Sequence, residues 1–119
     1  MTTWNRVQGD VRDTVVAYLY GIQSFAGATV EGHVWSARTT GSTDLVAVVV
    51  DGVDPQGVVC GVCTVQLGVT SGWLSTATPG SWYLEHEVTF ADNTVLTWPA
   101  DSPDTIRVRA QASPGSAPA

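Results

Sequence analysis

The chain has 119 residues, 44% of them hydrophobic, with eleven acidic side chains against five arginines, no lysine and a formal net charge of −6. That length allows one domain with a modest core, and no apolar run exceeds six residues, which excludes a membrane-crossing helix of about 20 residues. No basic cluster is present to neutralise phosphates, which argues against a nucleic-acid partner.

The opening segment, Met1 to Arg12, has neither the basic start nor the apolar stretch of a signal peptide. It reads as the start of a soluble protein that stays in the cytoplasm of the cell making it. Within it, Trp4–Val7 predicts a short edge strand and Gly9-Asp10 a turn. Thr14 to Tyr20, rich in β-branched and aromatic residues, predicts a strand with Val16 in the core. Gly21 to Gly27 reads as a loop with Phe25 tucked under the sheet. Thr29 to Trp35 alternates, placing Val30, Gly32 and Val34 on one face and Thr29, Glu31, His33 and Trp35 on the other.

Ser36 to Thr43 is a polar turn. The apolar run within Asp44–Val50 suits a strand buried on both faces or pressed against a neighbour. Asp51-Gly52 and Asp54-Pro55-Gln56-Gly57 are turn signals, and Val58 to Leu67 continues the hairpin as a strand. Gly68 to Thr78 leaves room for one short helical turn, capped by Thr70-Ser71 and anchored by Trp73-Leu74.

The strongest signal runs from Gly80 to Pro99. Trp82, Leu84, His86, Val88 and Phe90 alternate with Tyr83, Glu85, Glu87 and Thr89, so one face is buried and one wet. Asp92-Asn93 suits a two-residue type I′ turn, Thr94–Trp98 the returning strand, and Pro99 its end. Asp104 to Arg109 closes the domain with Ile106 and Val108 inward and Arg107 and Arg109 outward. Ala110 to Ala119, small and Pro-bearing, reads as a flexible extended tail with nothing to bury. The sum is an all-β domain over residues 1–109, about seven or eight antiparallel strands in a β-sandwich, followed by a tail over residues 110–119.

Few residues in this pattern suggest chemistry. Cys60 and Cys63 match Cys-x-x-Cys, but no second ligand pair exists for zinc. Positions three apart in a strand face opposite ways, so they read as buried free thiols. His86 reads as a satisfied core histidine. Glu31 and His33 share a face, but two groups on one strand do not make a site. Asp51 and Asp54 lie in turns, where Asp serves backbone hydrogen bonding. No nucleophile elbow or phosphate loop is present, so no catalytic, metal or cofactor-binding residue is expected. Of the five Trp, Trp4 and Trp35 are the candidates for partner contacts. The low charged fraction, 13%, fits a surface partly covered by other subunits.

Segment order adds a resemblance. Arg6 to Asp10, Phe25-Ala26-Gly27-Ala28-Thr29-Val30, the Asp54–Val59 turn, Pro79-Gly80-Ser81-Trp82 and Glu87-Val88-Thr89-Phe90-Ala91-Asp92-Asn93 occur in that order. This resembles a family of small immunoglobulin-like domains of tailed bacteriophages, similar to the N-terminal domain of the phage baseplate upper protein, over roughly residues 5 to 109. Departures are Phe25-Ala26 at the second strand's start, Trp82 in place of Tyr, Asn93 in place of Gly, and His86 where an apolar residue is expected. The resemblance implies an immunoglobulin-like sandwich and a non-enzymatic virion component of the tail, baseplate or head–tail region, made in the host bacterial cytoplasm. Its partners would be other virion proteins and copies of itself, with no nucleic acid and no membrane. Arg107, Arg109 and the tail around Ser113 and Pro114 join the two Trp as candidate contacts. A capsid decoration protein is the alternative within that class, and a carbohydrate-binding module the alternative outside it.

Overall fold

The computed structural model describes residues 2–8, 13–21, 24–36, 41–68, 73–100 and 102–110. These contain β1 (Thr3–Val7), β2 (Thr14–Leu19), β3 (Thr29–Trp35), β4 (Thr43–Val53), β5 (Val59–Gln66), the helical turn α1 (Trp73–Thr76), β6 (Gly80–Thr89), β7 (Val95–Trp98) and β8 (Asp104–Arg109). The fold is all-β. The strands follow one hydrogen-bonded path, β1-β8-β6-β3-β4-β5-β2, with β7 also on β6. β1 runs parallel to β8, and the other pairs are antiparallel.

The path bends back on itself because β4 serves two layers. Thr43–Val46 pairs with β3, and Ala47–Val53 pairs with β5. One layer is therefore β1, β8, β6, β3 and the start of β4; the other is the rest of β4, β5 and β2. The free edges, β1 and β2, come close enough for Arg6 to span them, giving a nearly barrel-like cross-section. Its Nη2 donates to Thr14 O at 3.1 Å. Its Nε lies 2.9 Å from Asp13 Oδ2 without hydrogen-bond alignment, so that contact is ionic.

The core fills the space between the layers. Val30, Val34, Trp82, Leu84, His86, Val88, Phe90, Ile106 and Val108 are all buried, as the alternation predicts. Phe25 lies under the sheet against Gly61, where a Cβ would meet its ring at 2.7 Å. Trp73 and Leu74 anchor α1 in the core; the expected Thr70-Ser71 cap lies outside the described residues.

Three expectations need correction. Val16 is 39% exposed, and β2 instead buries Val15, Ala17 and Leu19. An apolar run carries no alternation from which to choose a face; the register against β5, with Ala17 opposite Cys63, makes the choice. The Leu45–Val50 run is not buried on both faces, since Val46, Val48 and Val50 are 51–61% exposed. The β6–β7 turn is not type I′. Only Asn93 has positive φ, at 69°, with Asn93 N donating to Phe90 O and Phe90 N to Thr94 O. That is a three-residue loop ending in a left-handed residue. The β4–β5 hairpin repeats it, with Gly57 at φ 85°, Gly57 N donating to Asp54 O and Asp54 N to Val58 O.

Candidate interaction surface

The outer surfaces of the two layers differ in chemistry. On the β3–β6–β8 layer the outward residues include Glu31, His33, Glu85, Glu87, Arg107 and Arg109. On the other layer β2 (TVVAYL) and β5 (VCGVCTVQ) carry no charged residue at all. Cross-strand rows there read Val48–Thr64–Val16 and Val50–Val62–Tyr18. Val48 is 61% and Val50 56% exposed, and Val53, Val58 and Val59 at the β4–β5 hairpin end are also exposed. Antiparallel sheets that face water normally alternate apolar inside with polar outside. Here both sides are apolar, and a contiguous exposed apolar patch marks a contact surface.

One polar strap crosses this face. Tyr20 Oη donates to Asp54 Oδ2 at 2.6 Å, while Asp54 Oδ1 accepts from Gln56 N and Val58 N. The Asp54 carboxylate is the chief reason the Tyr20 phenol is raised to about 12, and the reciprocal bond from Tyr20 holds Asp54 below the ordinary carboxylate value. Asp51 is lowered by Ser24 Oγ and by the Phe25 N–H. Asp54 thus serves its own turn, whereas Asp51-Gly52, expected as a turn, lies within β4, ladder-paired with Gly61 and Cys60, and the Asp51 carboxylate pins the Ser24–Phe25 segment instead.

The two cysteines are free and lie on opposite sides of β5. Cys63 is in the core cluster; Cys60, outside that cluster, is register-paired with Gly52. Cys63, His86 and Asp104 stand in a row, with Cys63 Sγ 3.8 Å from His86 Nδ1 and His86 Nε2 3.5 Å from Asp104 Oδ2. Nucleophile, base and orienting acid occur in that order in cysteine-dependent catalysis. Here the thiol is fully buried and burial pushes it up to about 12, so at neutral pH it is neither accessible nor ionised. The row is a polar chain within the core. His86 is buried as expected but is not satisfied: its Nε2 has no hydrogen-bond partner.

Glu31, His33 and Asp44 each bring a ligand-type atom within 4.8 Å of the others on the charged face. His33 Nδ1 already meets Asp44 Oδ1 at 2.7 Å, and its Nε2 lies 3.9 Å from Glu87 Oε1. These pairings account for the cluster as an imidazole between acidic strands. The sequence offered Glu31 and His33; Asp44 joins them only through the β3–β4 register.

The candidate contact residues are spread apart. Trp4 is half-buried on β1 and packs on the core. Trp35 is half-buried beside Tyr83, with ring centroids 5.8 Å apart. Arg107 and Arg109 are exposed on β8. Ser113 and Pro114 lie outside the described residues. The structure does not gather these four described positions into one patch, and the valine face is not among them. Its signal in the sequence was the pairing of two charge-free strands, β2 and β5, with the Leu45–Val50 run of β4.

Among the described residues no helix is long and apolar enough to cross a membrane. Comparison with protein-family models, with curated proteins and with solved structures finds no match.

Proposed function

We propose that this protein is a non-enzymatic structural subunit of a tailed-phage virion, in the tail, baseplate or head–tail region, held in a multi-copy assembly by protein–protein contacts. The observation that carries the reading is the valine-rich face of the β4–β5–β2 layer, whose cross-strand rows Val48–Thr64–Val16 and Val50–Val62–Tyr18 carry no charge. Val48 and Val50 are already partly covered within the subunit, so burying the remainder against a neighbour would contribute about 1 kcal/mol each, and a charge-depleted centre is what subunit contacts select. Strand order supports the immunoglobulin-like form of the fold. β8-β6-β3 and β4-β5-β2 fit the two sheets of such a sandwich, with β4 passing between them.

The test is the assembly state of the full chain by light scattering, alone and with Val48→Asp and Val50→Asp. Both positions face solvent, so the substitutions leave the melting temperature nearly unchanged. The expected result is a multimer for the native chain and a monomer for the double variant. A native chain that stays monomeric at every concentration, and is missing from purified particles of the phage encoding it, would sink the proposal.

A further inference from the structure

The exposed apolar surface is concentrated on one side of the molecule. Ten large hydrophobic side chains among the described residues are exposed; eight lie on or beside β2, β4 and β5, and the other two, Val95 and Leu96, are on β7. Val62 and Thr64 of β5, both half-buried, sit at the middle of the valine face. Each lies between a β4 and a β2 residue, in the rows Val50–Val62–Tyr18 and Val48–Thr64–Val16. Asp54, at one end of the face, is 6% exposed and accepts from Tyr20 Oη, so it presents no open charge there.

A second copy of the chain could set three surfaces against this one. Its charged layer is the wrong match. That contact would take Glu31, Glu85, Glu87 and Arg107 out of water against valine, with nothing to replace their lost hydration. Its β7 offers Val95 and Leu96 alone, too little to cover three strands. Its own valine face fits, because uncharged rows meet uncharged rows and apolar surface is covered on both sides. The net charge of −6 on each chain opposes that contact only weakly. Packed sheets stand about 10 Å apart, so each copy's charged layer lies beyond a Debye length, about 8 Å in 0.15 M salt, from the contact.

We infer that the valine face is covered by the valine face of a second copy, giving a closed two-fold dimer with both charged layers turned outward. The inference rests on the assembly reading above and adds to it the partner and the symmetry. A face that packs on itself makes an isologous contact, in which residue i meets j and j meets i. The two-fold axis of such a contact crosses the middle of the patch, so the centre of β5, Val62 and Thr64, approaches its own counterpart.

The experiment uses the full chain carrying Thr64→Lys or Thr64→Asp, with Val62→Lys and Val62→Asp as a second pair. Circular dichroism melts establish which variants are folded. Light scattering then compares the native chain, each folded variant alone, and the equimolar Lys–Asp mixtures. The native chain is expected at twice the monomer mass, or at an even multiple of it. Each variant alone sets like charges together at the axis and should associate at least tenfold more weakly. The mixture should recover native-like association, because unlike charges then meet, and native mass spectrometry should count one chain of each kind in the restored dimer. Mixtures that stay monomeric overturn the inference and leave the assembly reading standing, since the face then matters without meeting itself. Variants that assemble as well as the native chain, or a native assembly with an odd number of chains, also overturn it. So does a native chain that is monomeric in solution yet present in purified phage particles, because another protein then covers the face. A chain both monomeric and missing from those particles sinks the assembly reading and the inference together.

Discussion

Trp82 shows how a single side chain ties the core to the chain around it. Its ring meets Trp73 edge-on at 5.3 Å, and its Nε1 donates to Thr78 O at 2.8 Å. Trp82→Ala removes both and leaves a cavity between β6 and α1. The expected loss is about 3–5 kcal/mol, read as a lowered denaturant midpoint. The Tyr20–Asp54 pair sets a pH dependence at both ends of the scale. Asp54, Asp51 and Asp92 are held below the ordinary carboxylate value, so the stability they contribute is present at neutral pH and is lost as pH falls below about 4. Tyr20 is raised from 10.0 to about 12, so its contribution is intact below pH 10 and is lost as pH climbs toward 12. Tyr20→Phe is expected to flatten the melting-temperature profile in both limbs. An unaltered alkaline limb would mean that the phenol–carboxylate bond is not formed in solution.

Hairpin chemistry belongs to the scale of the element. Asn93 holds the left-handed position of the β6–β7 turn, and Gly57 holds the same position in the β4–β5 turn. Asn93→Gly should be neutral or slightly stabilising, whereas Asn93→Val should cost about 1–2 kcal/mol, a contrast that thermal melts can resolve. The β strands themselves were legible in the sequence. β3, β6 and β8 place a charged residue at many outward positions, so their period of two is visible and their bounds fall within two residues of expectation. β2 and β4 were legible as strands but not as faces, because valine and tyrosine on both sides erase the alternation. The turn was placed correctly and typed wrongly: Asp and Asn both tolerate positive φ, and only the structure tells which one adopts it. His86 was legible as buried. Its meeting with Asp104 and Cys63 was not, since it joins three strands whose order no local pattern specifies.

At the scale of the molecule, the two layers divide the surface by chemistry. The β3–β6–β8 face carries acids, an imidazole and arginines; the β4–β5–β2 face carries valine, threonine and tyrosine. Of the two faces, only the second would gain by leaving water. The parallel pairing of β1 with β8 has a mechanical result. Among the described residues these are the first and last strands, matched from Thr3–Thr105 to Val7–Arg109 and pointing the same way. Tension drawn between the two termini pulls them past each other along their length, so the ladder's hydrogen bonds bear the load together instead of parting one at a time. In a single-molecule stretching experiment the domain should therefore yield at a markedly higher force when held by its ends than when gripped at the two arms of the β4–β5 hairpin, where the bonds would unzip in turn.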